Sequence, residues 1–488
     1  MKEFGITVNP KPLVPIGRVI EPPNLKYMDE EVVRPKDGSW NMKGKEFFIS
    51  VKIESWVLLS FANEQDCHWG NLNRFSTLLC DISKKIGIDI NKPSFIDIIG
   101  SKQVTISDIL HSMKKKYQAN LIVIVLPVKN DKLLYNEIKQ AAEIKLGLVT
   151  QCVRVANVVE KASASLISNL CQKINSKLGG VNTSLIKGER PAILERSFIV
   201  IGADVNHSNP KRGKEDEKKD DKSKHTKNKF KPTSIAAAVG SLDDHPYRYA
   251  ATVRAQTNPN EDRRIIEIIL DLENMVLDLL RAYYRKNQGR KPEKIIFYRD
   301  GVSEGEFAKV KEHEVNCIRK ACRRLGADYA PKITFIVVQK RHHVRFMPKD
   351  YRDGVGKMKN IAPGTTVDNT VVHPQHFDFF LCSHFGLQGT SRPGLYTVVE
   401  DDNDLTADEL QKLTYYLCYT FARCTKSISI PVPVQYADLA AYRARRHLEF
   451  KLKEFNLDNN SLIPNSLFLS IHDSLKVDKQ LQDSMYFV

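Results

Sequence analysis

No run of about 18 apolar residues occurs anywhere in the chain, so no membrane-spanning helix is expected. The first residues, MKEFGITVNPKPLVPIG, lack the apolar core of a secretory signal. Nine cysteines are present without a single Cys-x-x-Cys pair. That spacing matches no zinc site, and the odd count fits no closed disulfide framework, so free thiols in a reducing compartment are expected. Asn-x-Ser triplets such as Asn206-His207-Ser208 then read as chance matches. No internal repeat stands out. Acidic residues are in deficit: 58 Asp and Glu face 74 Lys and Arg, a formal charge of +16 and a pI of about 9.2. Such an excess points to a polyanionic partner, most often nucleic acid, although a solvated basic surface gives the same total.

What is present is enough chain for two or three compact units, at 488 residues and 42% hydrophobic. Residues 1–43 are rich in Pro and Gly and read as an extended linker. From residue 46 strands and helices alternate. LIVIVLP (121–127) is a β-branched run bounded by Pro, the mark of a buried parallel strand. YNEIKQAAEIKLG follows as a helix, TQCVRVANV as a strand, and ASLISNLCQKINSKLGG as a helix closed by glycines. A first doubly wound α/β domain is therefore expected over 44–186. A second begins at SFIVIGADV (197–205). The stretch 209–232 holds ten Lys/Arg and five Asp/Glu, net 10 − 5 = +5, and reads as a disordered surface insertion. Further strands follow at TSIAAAVGSL, YRYAATVRAQ, KIIFYRD and KITFIVVQK. A long amphipathic helix is expected over EDRRIIEIILDLENMVLDLLRAYYR, a second at FAKVKEHEVNCIRKACRRLG, and others near 406–424 and 436–453.

Two apolar strands carry a carboxylate near their ends: Asp204 in FIVIGADVNH and Asp300 in KIIFYRDGV. The plain reading of Asp300-Gly301 is turn chemistry, because Gly takes positive φ and Asp bonds its own backbone. Glu267 sits in the expected helix IIEIILDLENMV, where a solvent-facing role is the common one. Asp438 sits near a helix start, where it complements the dipole. A phosphodiester nuclease instead needs several carboxylates converging on two Mg²⁺ ions roughly 4 Å apart. Spacing alone does not establish that convergence.

The motifs GADVNH, YRDGVSEGEF, FIVVQKRHH, GTTVD, FDFFLCSHFGLQGTSRP and CTKSISIPVPVQYADLAAYRARRH, with the chain end MYFV, occur in order over about 190–488. This region resembles the Piwi domain of a eukaryotic Argonaute, and the upstream domain resembles the family's MID domain. The resemblance implies an α/β architecture: a Rossmann-like MID domain (44–186) followed by an RNase H-like Piwi domain (187–488). Carried over by motif, the family's carboxylate tetrad is Asp204, Glu267, Asp300 and Asp438, with Asp204, Asp300 and Asp438 as metal ligands for Mg²⁺ or Mn²⁺. Glu261 and Asp262 compete with Glu267, which is chosen by aligning on IILDLENMV. Many animal members carry His at the position of Asp438.

Tyr135 and Lys139, and likewise Lys173 and Lys177, are spaced i, i+4 and share helix faces. Like charges so placed repel, and a bound phosphate relieves them; a solvated basic face is the plain alternative. The family resemblance implies that Tyr135, Lys139, Gln151, Lys173 and Lys177, with Asn157 nearby, hold a guide's 5′ phosphate. By the same resemblance Arg443 and the carboxylate of Val488 complete the pocket. The loop LPVKNDKLL (126–134) resembles the segment that senses the first guide base. Guide-backbone contacts carried over in the same way are Lys340, Arg341, His384, Arg392, Arg423, Lys426 and Ser429. Such contacts position a backbone without reading sequence, and make affinity fall steeply with salt.

The resemblance therefore implies a small-RNA-guided endoribonuclease of gene silencing. Its partners would be a guide RNA, a complementary target RNA and silencing-complex proteins, in the cytoplasm or nucleus and with no membrane. A non-cleaving guide-binding module and an unrelated RNase H-type nuclease are the alternatives. Complete family members also carry N-terminal and PAZ domains ahead of this region, so this chain is expected to be a fragment or truncated form.

Overall fold

The computed structural model describes residues 2–99, 104–128, 132–195, 197–207, 233–243, 245–257, 267–457 and 465–488. Two α/β units are built on separate sheets. The first carries β1 (Trp56–Ser60), β2 (Phe95–Ile98), β3 (Leu121–Leu126) and β4 (Val149–Arg154), all parallel in the order β2-β1-β3-β4. Val57, Leu59, Ile122 and Ile124 point to one face and Trp56, Leu58, Val123 and Val125 to the other, and both faces are buried. That is why the strands read as continuous apolar runs rather than alternating ones. Helices α1 (Trp69–Lys85), α2 (Ile106–Tyr117), α3 (Lys132–Gln140) and α4 (Ala164–Lys177) complete the unit. Ser163 caps α4 by accepting the Leu166 N–H at 3.3 Å. This is the Rossmann-like arrangement expected of the first domain. Strand β2 and helix α2 were not read from the sequence, because Phe95–Ile98 is only half-buried.

The second unit is a nine-stranded sheet. Its members include β5 (Phe198–Asn206), β6 (Ser234–Ser241), β7 (Tyr249–Gln256), β8 (Lys294–Asp300), β9 (Lys332–Gln339), β10 (Thr365–Val367), β11 (Phe377–Cys382) and β12 (Gly394–Asp401). The order is β10-β11-β12-β9-β8-β5-β6-β7, with Arg18–Val19 added beyond β10. β5, β8 and β9 are parallel, while β6 and β7 fold back antiparallel. Helices α5 (Leu272–Lys286) and α6 (Asn316–Leu325) bury one face, through Ile199, Ile201, Phe297, Met275 and Ile318. Helix α7 (Ala407–Leu417) and the 23-residue α8 (Val432–Glu454) bury the other. This is the RNase H-like core expected of the second domain.

Small residues set how closely α8 approaches. Ala437, Ala440, Ala441 and Ala444 face Ala237 and its neighbours on β6. A Cβ at Gly202 would stand 2.2 Å from the backbone of Pro433. No side chain fits there, so Gly202 lets the N-terminal end of α8 rest directly on β5.

Residues 18–43, expected as a linker, run between the two units. Leu25–Lys26 pairs with Ser184–Leu185, Ser39 bridges Lys426, and the Trp40 ring stacks on Tyr419 at 5.9 Å. Leu25, Tyr27 and Met42 are buried. No helix among the described residues is long and apolar enough to cross a membrane. The insertion at 209–232 and the alternatives Glu261 and Asp262 lie outside the described residues.

Candidate active site and phosphate pocket

Parallel pairing brings the first two carboxylates together. Ala203 is in register with Arg299, so Asp204 and Asp300 follow side by side on adjacent strands and share a face. Gly301 ends the strand at φ +85°, so the turn reading of Asp300-Gly301 holds alongside the site reading. Helix α8, seated on Gly202, carries Asp438 to the same face, where Gln435 donates to its Oδ2 at 3.1 Å. Burial, then repulsion from Asp300, pushes the Asp204 carboxyl up to about 7, with Asp438 adding to the effect. Burial also raises Asp300 and Asp438. Among the described residues no three of these carboxylates bring ligand oxygens within 4.8 Å of one another, so they form a looser cluster than a tight cage.

Glu267 is not in a helix, contrary to the amphipathic pattern of 261–285. Helix α5 starts at Leu272, and residues 267–270 run irregularly ahead of it. Buried side chains satisfy their backbone instead. Arg299 donates to Glu267 O, Gln256 Nε2 donates to Ile268 O at 3.1 Å, and Glu314 Oε1 accepts Ile269 N–H at 3.0 Å. Gln256 Oε1 accepts the Leu270 N–H at 3.2 Å. Arg299 and Glu314 are themselves a fully buried pair at 3.2 Å. The Glu267 carboxylate meets His207 Nε2 at 3.0 Å and approaches Gly301, its Oε2 lying 4.0 Å from where a Cβ there would stand. Burial works to raise this carboxyl, but the His207 hydrogen bond and the His207, Arg299 and Arg341 charges outweigh it, and it stays below its ordinary range.

Asp204 makes a pH prediction. The unfolded chain ionises this group near 3.8, whereas the fold keeps it neutral until about 7. Metal-free folded protein therefore loses stability as pH rises through that window. Asp204→Asn should stabilise it by on the order of 2 kcal/mol near pH 8 and by much less near pH 4. Urea unfolding in chelator at the two pH values measures this; an equal difference at both contradicts it.

The second cluster lies where the two units meet. A cavity of about 220 Å³ is lined by Tyr135, Lys139, Gln151, Lys173 and Lys177 from the first unit, and by Arg423, Arg443 and Val488 from the second. Helix α3 supplies Tyr135 and Lys139, β4 supplies Gln151, α4 the other two lysines, and α8 Arg443. Lys139 Nζ donates to Thr150 Oγ1 at 2.7 Å, and Lys177 Nζ to Gln151 Oε1 at 2.8 Å. The charges of Lys139 and Arg443 stand 5.9 and 6.0 Å from the centre of the Tyr135 ring. Burial, then the charges of Lys139 and Arg443, hold Lys177 well below its usual range. Burial and Arg423 depress Lys173, and burial and Arg443 depress Arg423. The crowding thus comes from cations that lack enough counter-charge.

One buried carboxylate answers part of it. Glu143 ion-pairs with Arg443, lies 3.4 Å from Lys139 Nζ, and meets His447 Nε2 at 3.1 Å. Burial raises it, but Arg443, Lys139 and His447 outweigh burial and hold it at about 2. Sequence reasoning missed Glu143: it lies four residues past Lys139 in a helix that reads as amphipathic, and its partners come from α8, 300 residues away. Arg423, expected along the guide backbone, lines this cavity. Asn157 lies on the short helix Val155–Val159 and is not among the lining residues. An adjoining cavity of about 320 Å³ is bounded by Leu126–Val128, Lys132, Tyr135 and Arg446.

His384, Lys426 and Ser429 line a wider groove of about 800 Å³ together with Lys36–Asn41 and Gln435. Lys340 donates to Ser429 Oγ, and burial depresses its ammonium group, with Arg392 adding to that. Burial and Lys340 lower His384 to about 4. Arg341 sends its charge toward Glu267 and Asp300.

An α/β unit with a cationic cavity at its seam with an RNase H-like sheet, whose strand ends carry carboxylates, defines a MID–Piwi protein. A family model for the Piwi domain matches residues 121–449, and one for the Mid domain of argonaute matches 34–116. The chain belongs to the Argonaute family and carries its MID and Piwi domains. It is similar to the C-terminal lobe of a budding yeast Argonaute, at 27% identity and TM-score 0.80, covering 97% of this chain and 95% of that one. It is also similar, at 27% identity and TM-score 0.79, to the Kluyveromyces polysporus Argonaute solved with a guide RNA, covering 97% of this chain and 53% of that one. The MID-PIWI domains of Neurospora crassa QDE-2 share the fold at 22% identity and TM-score 0.62, with 91% of this chain and 100% of that one covered.

Proposed function

We propose that this chain holds a small guide RNA by its 5′ phosphate and hydrolyses a complementary target RNA. The observation that carries the reading is the seam cavity, where five cations meet and Glu143 and the Val488 carboxylate are the anions the described contacts set against them. Arg443 Nε is buried without a hydrogen-bond partner among the described residues. A phosphate of nearly two negative charges answers both the crowding and the unmet donor. Tyr135 supplies a ring on which the first base stacks. Lys340, Arg341, His384, Arg392, Lys426 and Ser429 carry the backbone toward the cleft.

Asp204, Asp300 and Asp438 fit Mg²⁺ or Mn²⁺. They are oxygen donors whose mutual repulsion and burial a divalent cation relieves, and their spread suits a pair of ions better than one. Bound Mg²⁺ would supply water activation and stabilisation of the leaving oxygen. Glu267, held ionised by His207 and Arg299, accepts hydrogen bonds on the target side of the cleft. We place this activity in RNA silencing, in the cytoplasm, with silencing-complex proteins as further partners.

Binding of a 5′-phosphorylated RNA, compared with the same RNA ending in a 5′ hydroxyl, tests the reading. The phosphorylated form is expected to bind at least ~10-fold tighter, since charge-assisted hydrogen bonds contribute about 1.5–3 kcal/mol each. Equal affinities would overturn it.

A further inference from the structure

Among the described residues, one group brings three metal-ligating side chains within 4.8 Å of one another: Glu304, His373 and His376. It shares no residue with the carboxylates Asp204, Glu267, Asp300 and Asp438. Glu304 opens the turn Glu304–Glu306, four residues beyond Asp300. His373 and His376, in the sequence His-Pro-Gln-His, sit on the segment that leads into β11. Glu304 Oε1 is 3.7 Å from His373 Nε2, and the two imidazole rings are 4.3 Å apart at 30° to one another.

His373 is held from its own segment. Both oxygens of Asp378 accept the His373 backbone N–H at 3.2 Å. The Gln375 N–H donates to His373 Nδ1 at 3.1 Å, which leaves Nε2 turned toward Glu304. Phe307 meets the His376 ring edge-on at 6.0 Å.

We infer that Glu304, His373 and His376 form a site for a divalent transition-metal ion of the zinc class, separate from the oxygen-only carboxylate cleft. Two imidazoles and one carboxylate are the donor set of such ions, not of Mg²⁺ or Ca²⁺. Bonds of about 2.0–2.2 Å in a tetrahedron place ligand atoms roughly 3.3 Å apart, so the existing 3.7 Å contact needs little change and the other pairs close by side-chain rotation. Ligation through His373 Nε2 leaves the proton on Nδ1 and gives up the Gln375 hydrogen bond, a cost set against the metal–ligand bonds. Glu304 and His376 are exposed, so a fourth position stays open to water. An ion here ties the turn after Asp300 to the segment entering β11.

Cobalt(II) titration of the chelator-stripped full chain is the test. Nitrogen-ligated cobalt in low coordination absorbs strongly in the visible, whereas an all-oxygen carboxylate cleft gives weak absorption. One equivalent of intense absorption is expected, displaced by zinc. His376→Ala and His373→Ala should each remove it and weaken zinc binding at least ~10-fold, and Glu304→Gln should weaken it in the same direction. The metal-free melting temperature checks that the variants fold. If His373→Ala unfolds, the exposed His376 carries the test. Absence of the band in the wild-type chain, or its persistence in both folded histidine variants, overturns the site.

Discussion

Asp300→Ala is expected to lower cleavage of a complementary RNA by at least ~10³-fold, because several kcal/mol of transition-state charge stabilisation goes with the metal ligand. Guide binding should stay within about twofold of wild type, since Asp300 and the seam cavity are supplied by different elements and no lining residue of that cavity comes from β8. Asp204→Ala should match it, and the double variant should be no slower than either, as expected of groups that act as one unit. Both variants are expected to fold, which a urea or thermal melt of each checks. Asp204 and Asp300 are carboxyls that burial already penalises, so removing them relieves the folded state. Cleavage that survives in a purified Asp300→Ala variant would remove the carboxylate assignment.

Lys139→Ala combined with Lys177→Ala should cost a 5′-phosphorylated RNA about 3 kcal/mol, ~100-fold in affinity, and a 5′-hydroxyl RNA far less. Burial, then the charges of Lys139 and Arg443, hold Lys177 well below its usual range. Its removal therefore relieves repulsion, and the variant is expected to fold. Glu143 keeps Arg443 paired in the altered pocket. Equal losses for the two RNAs would mean that the lysines serve the fold or a general electrostatic field and not a phosphate.

How much of this was readable before the structure depends on the range of the forces involved. Asp300 was legible through the motif it sits in, since the strand-end carboxylate alone reads as turn chemistry, and parallel pairing of β5 with β8 sets it beside Asp204. Tyr135 and Lys139 on α3, and Lys173 and Lys177 on α4, were legible as one-turn pairs, and the motif resemblance, not the spacing, pointed them at a phosphate. Glu267 was expected inside a helix, and the structure sets it on irregular backbone ahead of one. Its backbone forgoes the helix because Arg299, Gln256 and Glu314 satisfy it from three other elements, and no local pattern encodes that. Glu143 was invisible for the same reason. Gly202 read as an ordinary strand residue, yet it decides how closely α8, and so Asp438, approaches β5. Proline and glycine made residues 18–43 look like a tether, whereas Leu25 and Tyr27 bury their side chains and Trp40 stacks on Tyr419.

The most direct measurement is of the RNA that copurifies with the chain. Sequencing matched libraries, one that captures only 5′-monophosphate ends and one that captures all ends, reads both length and end chemistry. The account predicts a narrow length class enriched in 5′ monophosphates, with both features lost in Lys139→Ala/Lys177→Ala. Fragments of broad length with no excess of 5′ phosphates, unchanged in that variant, would contradict it.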